Sequence, residues 1–432
     1  MENPNSVSRR DFMRCGVAAG TAVGAFAILG ATAKGQGRVI KVGLVGCGAR
    51  GNGALAQLVE AAQILNGALN LGIEIKVVAA ADYFRYRAFV TAQKYGVARS
   101  RCFGAAGGYK QLLDSDVEIV LLATPAVFRP LHFESAVKAG KHVFMEKPGG
   151  VDPVGCRRLI AAGELAKEKG LMVVVGLQRR HTRGFIEAQA AVAEGAIGRI
   201  VAGRAASCIG LLGDRHPVGK LHLLKLMGSW LNWVQMSGDC IVDANIHELD
   251  VANWFVGGPP VSAVGFGGRA RRRAGNLYDF FSVDFEYPGG VHIHGMCRQI
   301  DGCWSWAGLE LVGEKGRTNC ERGLRPSRPV VPSEIPQEGS GYQQEQTNML
   351  YYLVKGKALN QARDLAYATA TAMMGRISAY TGRRIYWRDV MEDPRREPDL
   401  YNLQLRPTAE DFEEGMVPLP EEGDIPLPGV PS

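Results

Sequence analysis

Val39-Ile40-Lys41-Val42-Gly43-Leu44-Val45-Gly46-Cys47-Gly48-Ala49-Arg50-Gly51 decides the fold. The first seven residues form a near-continuous aliphatic run, suited to a strand buried on both faces of a parallel sheet. A G-x-G-x-x-G turn follows at once, and Ala54, Leu55, Leu58, Ala61 and Ala62 recur after it at helical spacing. In this context Gly46 makes the tight turn, Gly48 lets the backbone approach a pyrophosphate, and Gly51 lets helix and strand pack closely. The phosphates would lie on the helix N-terminus.

A second strand over Ile75 to Ala80 ends near Asp82, whose carboxylate could accept hydrogen bonds from adenosine ribose hydroxyls and so favours NAD. Arg85 and Arg87 keep NADP open. The separation of 31 residues between Gly51 and Asp82 exceeds the usual span, which predicts a small insertion near Asn66-Gly67. Further strands are predicted at Val117 to Ala123, running into Thr124-Pro125, and at His142 to Met145, running into Glu146-Lys147-Pro148. A helix over about Pro130 to Ala139 lies between them. This alternation is doubly wound, with ligands at the strand C-terminal ends, so Lys147 points into the cofactor crevice.

The full chain has 432 residues and a net charge of +7, with 46% hydrophobic and 22% charged residues, the mixture of a folded soluble chain. That length allows two domains with separate cores. The densest basic run, Arg269 with Arg271, Arg272 and Arg273, lacks interleaved aromatics, and no nucleic-acid partner is expected. Nine cysteines show no C-x-x-C spacing, which argues against a zinc ribbon or thioredoxin-like motif. Ser8-Arg9-Arg10-Asp11-Phe12-Met13, an uncharged stretch from Gly16 to Ala31, and Ala31-Thr32-Ala33 make residues 1–33 a twin-arginine signal peptide. Cleavage after Ala33 would leave no membrane anchor and an exported, periplasmic protein.

In the second half, Phe281, Val283, Phe285 and Tyr287 alternate with polar residues, turn at Pro288-Gly289-Gly290, and return through Val291 to His294, a hairpin with one covered face. Residues from Gln346 to about Ala379 read as helix. The Pro- and acid-rich tail, 391–432, reads as an extended strap.

Asp243, His247 and Asp250 share one stripe if they lie on a single helix. Alcohol oxidation needs a base for the hydroxyl proton and a cation beside the developing alkoxide. His247 suits the base, with Asp243 to orient it and Lys147 to polarise the oxygen. A core histidine with a capping aspartate has the same local pattern, and a two-carboxylate, one-imidazole metal site stays open. Gln178, Arg179, Arg180 and His181 follow a strand over Leu171 to Leu177, where they could bind hydroxyls or an acidic sugar. Trp230, Trp233, Trp304 and Trp306 could stack on a sugar or pack in a core.

The ordered set of G-x-G-x-x-G, Ala123-Thr124-Pro125, Ala139-Gly140-Lys141-His142-Val143, Glu146-Lys147-Pro148, Gly176 to Arg180, Asp243-x-x-x-His247-x-x-Asp250, Gly375-Arg376 and Tyr380-Thr381-Gly382 resembles the Gfo/Idh/MocA oxidoreductases over about residues 38–390. The resemblance implies a Rossmann NAD(P) domain (38–160) and an α/β domain (161–390) with a large, mostly antiparallel open sheet that often makes oligomer contacts. It also implies a sugar or cyclitol substrate. By it, Lys147, Asp243 and His247 hold the catalytic triad positions. Gly46, Gly48, Ala49, Arg50, Gly51, Asp82, Thr124, Pro125, Glu146 and Lys147 face the cofactor, and Gln178, Arg179 and Arg180 face the substrate. The expected assembly is a homo-oligomer. Export removes the free nicotinamide pool, so a tightly held NAD restored each turnover is expected. That condition suits a sugar oxidoreductase and also an exported NAD-dependent glycosidase. A nucleotide-bound sugar sensor is the third reading.

Overall fold

The computed structural model describes residues 37–392 and 405–429; the signal-peptide reading over 1–33 lies outside them. The opening run forms β1 (Arg38–Val45), and Ile40, Val42 and Leu44 are fully buried there. β2 (Ile73–Ala81), β3 (Cys102–Phe103), β4 (Ile119–Leu122), β5 (His142–Met145) and β6 (Val173–Val175) join it in one sheet of order β3-β2-β1-β4-β5-β6. Every pairing in that sheet is parallel, the strand order of a dinucleotide-binding fold.

Two details differ from the sequence reading. The long gap before Asp82 is filled by a longer helix, Ala49–Leu69, and not by an inserted loop. Asn66 stays within that helix, and its amide group exchanges two 2.8 Å hydrogen bonds with the Ile73 backbone. The expected boundary at 160/161 falls inside the helix Pro153–Glu168, whose Leu159, Ala162 and Ala166 are buried against the first sheet on the way to β6. Strand β6 therefore belongs to the nucleotide half.

The second sheet is built from β7 (Ile200–Ile209), β8 (Ser262–Gly268), β9 (Phe280–Tyr287), β10 (Val291–Gln299), β11 (Trp306–Gly313), β12 (Gly316–Thr318) and β13 (Ile385–Tyr386). Its order is β12-β11-β7-β10-β9-β8-β13, antiparallel except for β7 with β10. The predicted hairpin is β9–β10, with Phe281, Val283 and Phe285 on the covered face. Helix Ala362–Thr381 contributes Met373, Met374 and Ile377 to the core under that sheet.

The predicted helical stretch 346–379 is two helices, Gly341–Val354 and Ala362–Thr381. The first packs back on the nucleotide half, where Met349, Leu350 and Leu353 share a core with Leu55 and Leu58. The tail is not wholly extended: Ala409–Glu414 is a helix with a reciprocal Thr408/Asp411 capping box. Its Phe412 meets Phe128 at 4.9 Å between ring centroids.

Candidate active site

The glycine loop shows why each glycine stands where it does. Gly46 sits at φ +97°, and a Cβ there would lie 2.5 Å from the Ala123 carbonyl carbon. A Cβ on Gly51 would lie 1.9 Å from the Gly46 carbonyl oxygen, so this helix could not dock on its strand with any larger residue. A Cβ on Gly48 meets nothing within 4 Å, because it would project into open space. No side chain caps the Ala49–Leu69 helix, which leaves the N–H groups of Ala49, Arg50 and Gly51 as donors for an anion.

That open space is a crevice of about 670 Å³, its mouth included, lined by Gly46, Gly48, Asp82, Thr124, Pro125 and Arg87 among others. Asp82 is buried directly after β2. One carboxylate oxygen accepts the Cys47 N–H at 2.8 Å and the other the Phe84 N–H at 2.9 Å, which ties the glycine loop to the second strand. Burial raises the Asp82 carboxyl above its ordinary value, and these two bonds pull it back. Arg87 lines the crevice, whereas Arg85 turns away to donate to the Cys102 carbonyl at 2.9 Å.

His132, Tyr109 and Met227 also line this crevice, unmarked by any sequence motif, together with Trp230, one of the tryptophans expected to stack on a sugar or pack in a core. The His132 ring lies 5.5 Å from Phe128 in a stacked arrangement, and burial pushes its pKa down to about 3. The predicted cofactor residues Arg50 and Glu146 pair with each other, and Glu146 crowds Gly176, where a Cβ would lie 2.6 Å from Oε2. Arg50 also lies 4.8 Å from the centroid of Tyr342. Tyr342 begins the returning helix, and nothing local in the sequence marks it as a site residue.

Lys147 follows β5 at the C-terminal edge of the first sheet. Its ammonium donates to the Asp243 carbonyl oxygen at 2.6 Å and approaches the Asp243 carboxylate at 3.3 Å. Asp243 therefore orients Lys147, where the sequence reading had it orient His247. The reason lies in the chain path: Asp243 ends one short helix, Cys240–Asp243, and His247 lies in the first turn of another, Ile246–Val256. The single-helix stripe is broken at Ala244-Asn245.

His247 is half-buried. Burial, then the Lys147 ammonium, then Arg179 hold its pKa well below the ordinary histidine value, so the imidazole is neutral near pH 7.

The residues expected to hold substrate are largely engaged within the protein. Arg179 pairs with Glu248 at 2.6 Å. Arg180 forms a fork on buried Asp250, with Nε at 3.0 and 2.9 Å and Nη2 at 2.8 Å, and Asp250 is thereby unavailable to a metal. His181 lies between Asn348 at 3.0 Å and Gln361 at 3.1 Å. Gln178 donates to the Tyr342 hydroxyl at 3.3 Å. Arg179 Nη1 and Gln178 Oε1 remain without a protein partner. Among the described residues no group of three His, Cys, Asp or Glu side chains could hold a metal ion.

Two family models match the chain. The NAD-binding Rossmann domain of the oxidoreductase family matches residues 40–177, and the GFO/IDH/MocA C-terminal domain matches residues 185–319. The inositol 2-dehydrogenase of Ralstonia nicotianae is 30% identical over 259 residues, 59% of this chain and 66% of that protein. The chain thus spans about two thirds of that relative's length.

Among solved structures, scyllo-inositol dehydrogenase of Lactobacillus casei, with bound NAD(H) and scyllo-inositol, superposes with a TM-score of 0.59 at 20% identity. That match covers 81% of this chain and 99% of the other. The aldose-aldose oxidoreductase of Caulobacter crescentus gives 0.58 at 19% identity, covering 81% of this chain and 100% of the other.

Proposed function

We propose that this chain, which belongs to the GFO/IDH/MocA oxidoreductase family, oxidises a secondary alcohol on a sugar- or cyclitol-like substrate with a dinucleotide held on the glycine loop. The observation that carries this reading is the pairing of Lys147 with Asp243 beside a neutral His247, just after β5, whose partner strand β4 runs into the crevice at Thr124-Pro125. NAD supplies a hydride acceptor when bound. Gly48 and the uncapped helix start suit its pyrophosphate, and Asp82 suits its adenosine ribose.

His247 takes the hydroxyl proton on an imidazole nitrogen that is free to accept it at neutral pH. Lys147, held by Asp243, places its ammonium beside the oxygen as negative charge develops there. The Tyr342–Gln178 pair, with Tyr342 exposed, stands ready to bind neighbouring hydroxyls.

Asp82 and the turning away of Arg85 favour NAD over NADP. The export address in residues 8–33 favours a periplasmic enzyme whose tightly held NAD is restored within each cycle, by oxidising one sugar and reducing another. The exposed apolar side chains Val264 and Phe266 on the outer face of the second sheet favour a homo-oligomer. Mass analysis of the nucleotide released from denatured mature protein tests the cofactor assignment. NAD in near-stoichiometric amount is expected, and a protein that neither carries nor binds a dinucleotide would refute it.

A further inference from the structure

The arginine run that the cofactor site does not use lies at the far end of the second sheet, beside a concavity of about 970 Å³ of empty space. Its charged lining is Arg215, His216, Arg271, Arg272, Arg273 and Asp301. The backbone there is fixed from below. The buried Asp279 carboxylate accepts three successive N–H groups, from Ala270 at 2.8 Å and from Arg271 and Arg272 at 2.7 Å each. The buried Arg272 guanidinium pins the floor by donating to Gln299 at 2.7 Å, to the Leu212 carbonyl at 3.1 Å and to Asn232 at 3.2 Å. With Arg272 turned inward, Arg271 and Arg273 are exposed on either side of it, while Arg215 pairs with Asp301.

The charge count at this concavity is decided by that arrangement. Asp301 is the one acidic side chain in the lining and its carboxylate is already matched by Arg215, while Arg271 reaches only the Asp301 backbone carbonyl at 3.4 Å, so the lining as a whole carries excess positive charge. A guanidinium fork suits a planar carboxylate or a sulfate ester. The concavity, which is open to solvent, is larger than a bare oxyanion fills, and Asp301 and the Ile300 segment add acceptors for hydroxyl donors. Asn232, which holds Arg272, lies two residues from Trp230 of the nucleotide crevice, so both cavities open on the segment between β7 and the Ile246–Val256 helix.

We propose that Arg271, Arg273 and Arg215 form a second binding site, separate from the nucleotide crevice, for a saccharide bearing a carboxylate or sulfate group. The test is calorimetric titration of the full chain with tri-galacturonic acid, neutral maltotriose and inorganic sulfate, each on the parent and on Arg271→Ala/Arg273→Ala. The acidic trimer should bind, more weakly as salt is raised. The double substitution should lower its affinity by about tenfold or more, from the loss of charge-assisted hydrogen bonds, without moving the melting temperature, since both side chains are exposed.

Arg271→Lys/Arg273→Lys should retain part of that affinity. Maltotriose binding as tightly as the acidic trimer, or affinity unchanged in the double-alanine protein, would overturn the proposal. So would sulfate binding as tightly as the trimer, since the site would then hold a free anion and not a saccharide. Because binding is read without turnover, failure here leaves the oxidoreductase reading to its own test.

Discussion

Removing the Arg180 guanidinium should cost stability and not substrate affinity. Its three hydrogen bonds of 2.8–3.0 Å meet an Asp250 carboxylate that is 1% exposed, and Arg180 itself lies 5.3 Å from the Trp254 ring centroid. Arg180→Ala leaves that carboxylate buried without its partner, which costs about 3–5 kcal/mol. The loss should depend on pH in a defined direction. Burial already raises the Asp250 carboxyl, and without the arginine it rises further, so the folded state binds a proton that the unfolded state releases. The penalty should therefore shrink as pH falls from 8 to 5.

Arg180→Met/Asp250→Leu removes both charges and should return to within about 1 kcal/mol of the parent, since an apolar pair of similar volume replaces a buried ion pair at little cost. Equilibrium urea unfolding of parent, both single variants and the double variant gives the coupling directly. A stable Arg180→Ala protein whose only defect is a raised KM would refute this reasoning and return Arg180 to the substrate.

Gly48→Val should abolish most dinucleotide binding while the protein folds normally, because its Cβ enters open space, whereas Gly51→Ala should destabilise the fold itself, with a Cβ 1.9 Å from a carbonyl oxygen; nucleotide titration and thermal melts of both separate these effects. His132 has a pKa near 3 in the folded chain against an ordinary 6.5, so it binds its proton only on unfolding between those values, and stability is lost as pH falls below about 6.5. By pH 4.5 that loss is about 3 kcal/mol for this residue, and His132→Phe should remove it from the difference between urea unfolding at pH 7 and at pH 4.5.

The nucleotide half was legible because it is written locally. An aliphatic strand, three glycines with fixed spacing and an acidic residue at the next strand end each carry their own signal, and Gly46, Gly48 and Asp82 line one crevice. The Thr408-x-x-Asp411 capping box is equally local, although the composition of the tail around it reads as extended. The substrate side was harder because its pairings join distant segments. Nothing near Arg179 and Arg180 announces that Glu248 and Asp250, about seventy residues on, will engage them. Spacing of four and three puts Asp243, His247 and Asp250 on one stripe if they share a helix, but a break at Ala244-Asn245 gives Asp243 to Lys147, and burial lowers the His247 pKa.

The central claim is that a substrate hydroxyl loses its proton to His247 as its carbon gives up hydride beside Lys147. Single-turnover mixing of NAD-loaded protein with a cyclitol or sugar that it turns over, followed by the absorbance of reduced nicotinamide, tests it most directly. The account predicts reduction of the bound NAD in the parent, and a rate lower by about 10²–10⁴-fold in His247→Ala at unchanged nucleotide occupancy. A parent that turns over its substrate without ever reducing bound NAD, or a His247→Ala protein that reduces it at the parent's rate, would contradict it.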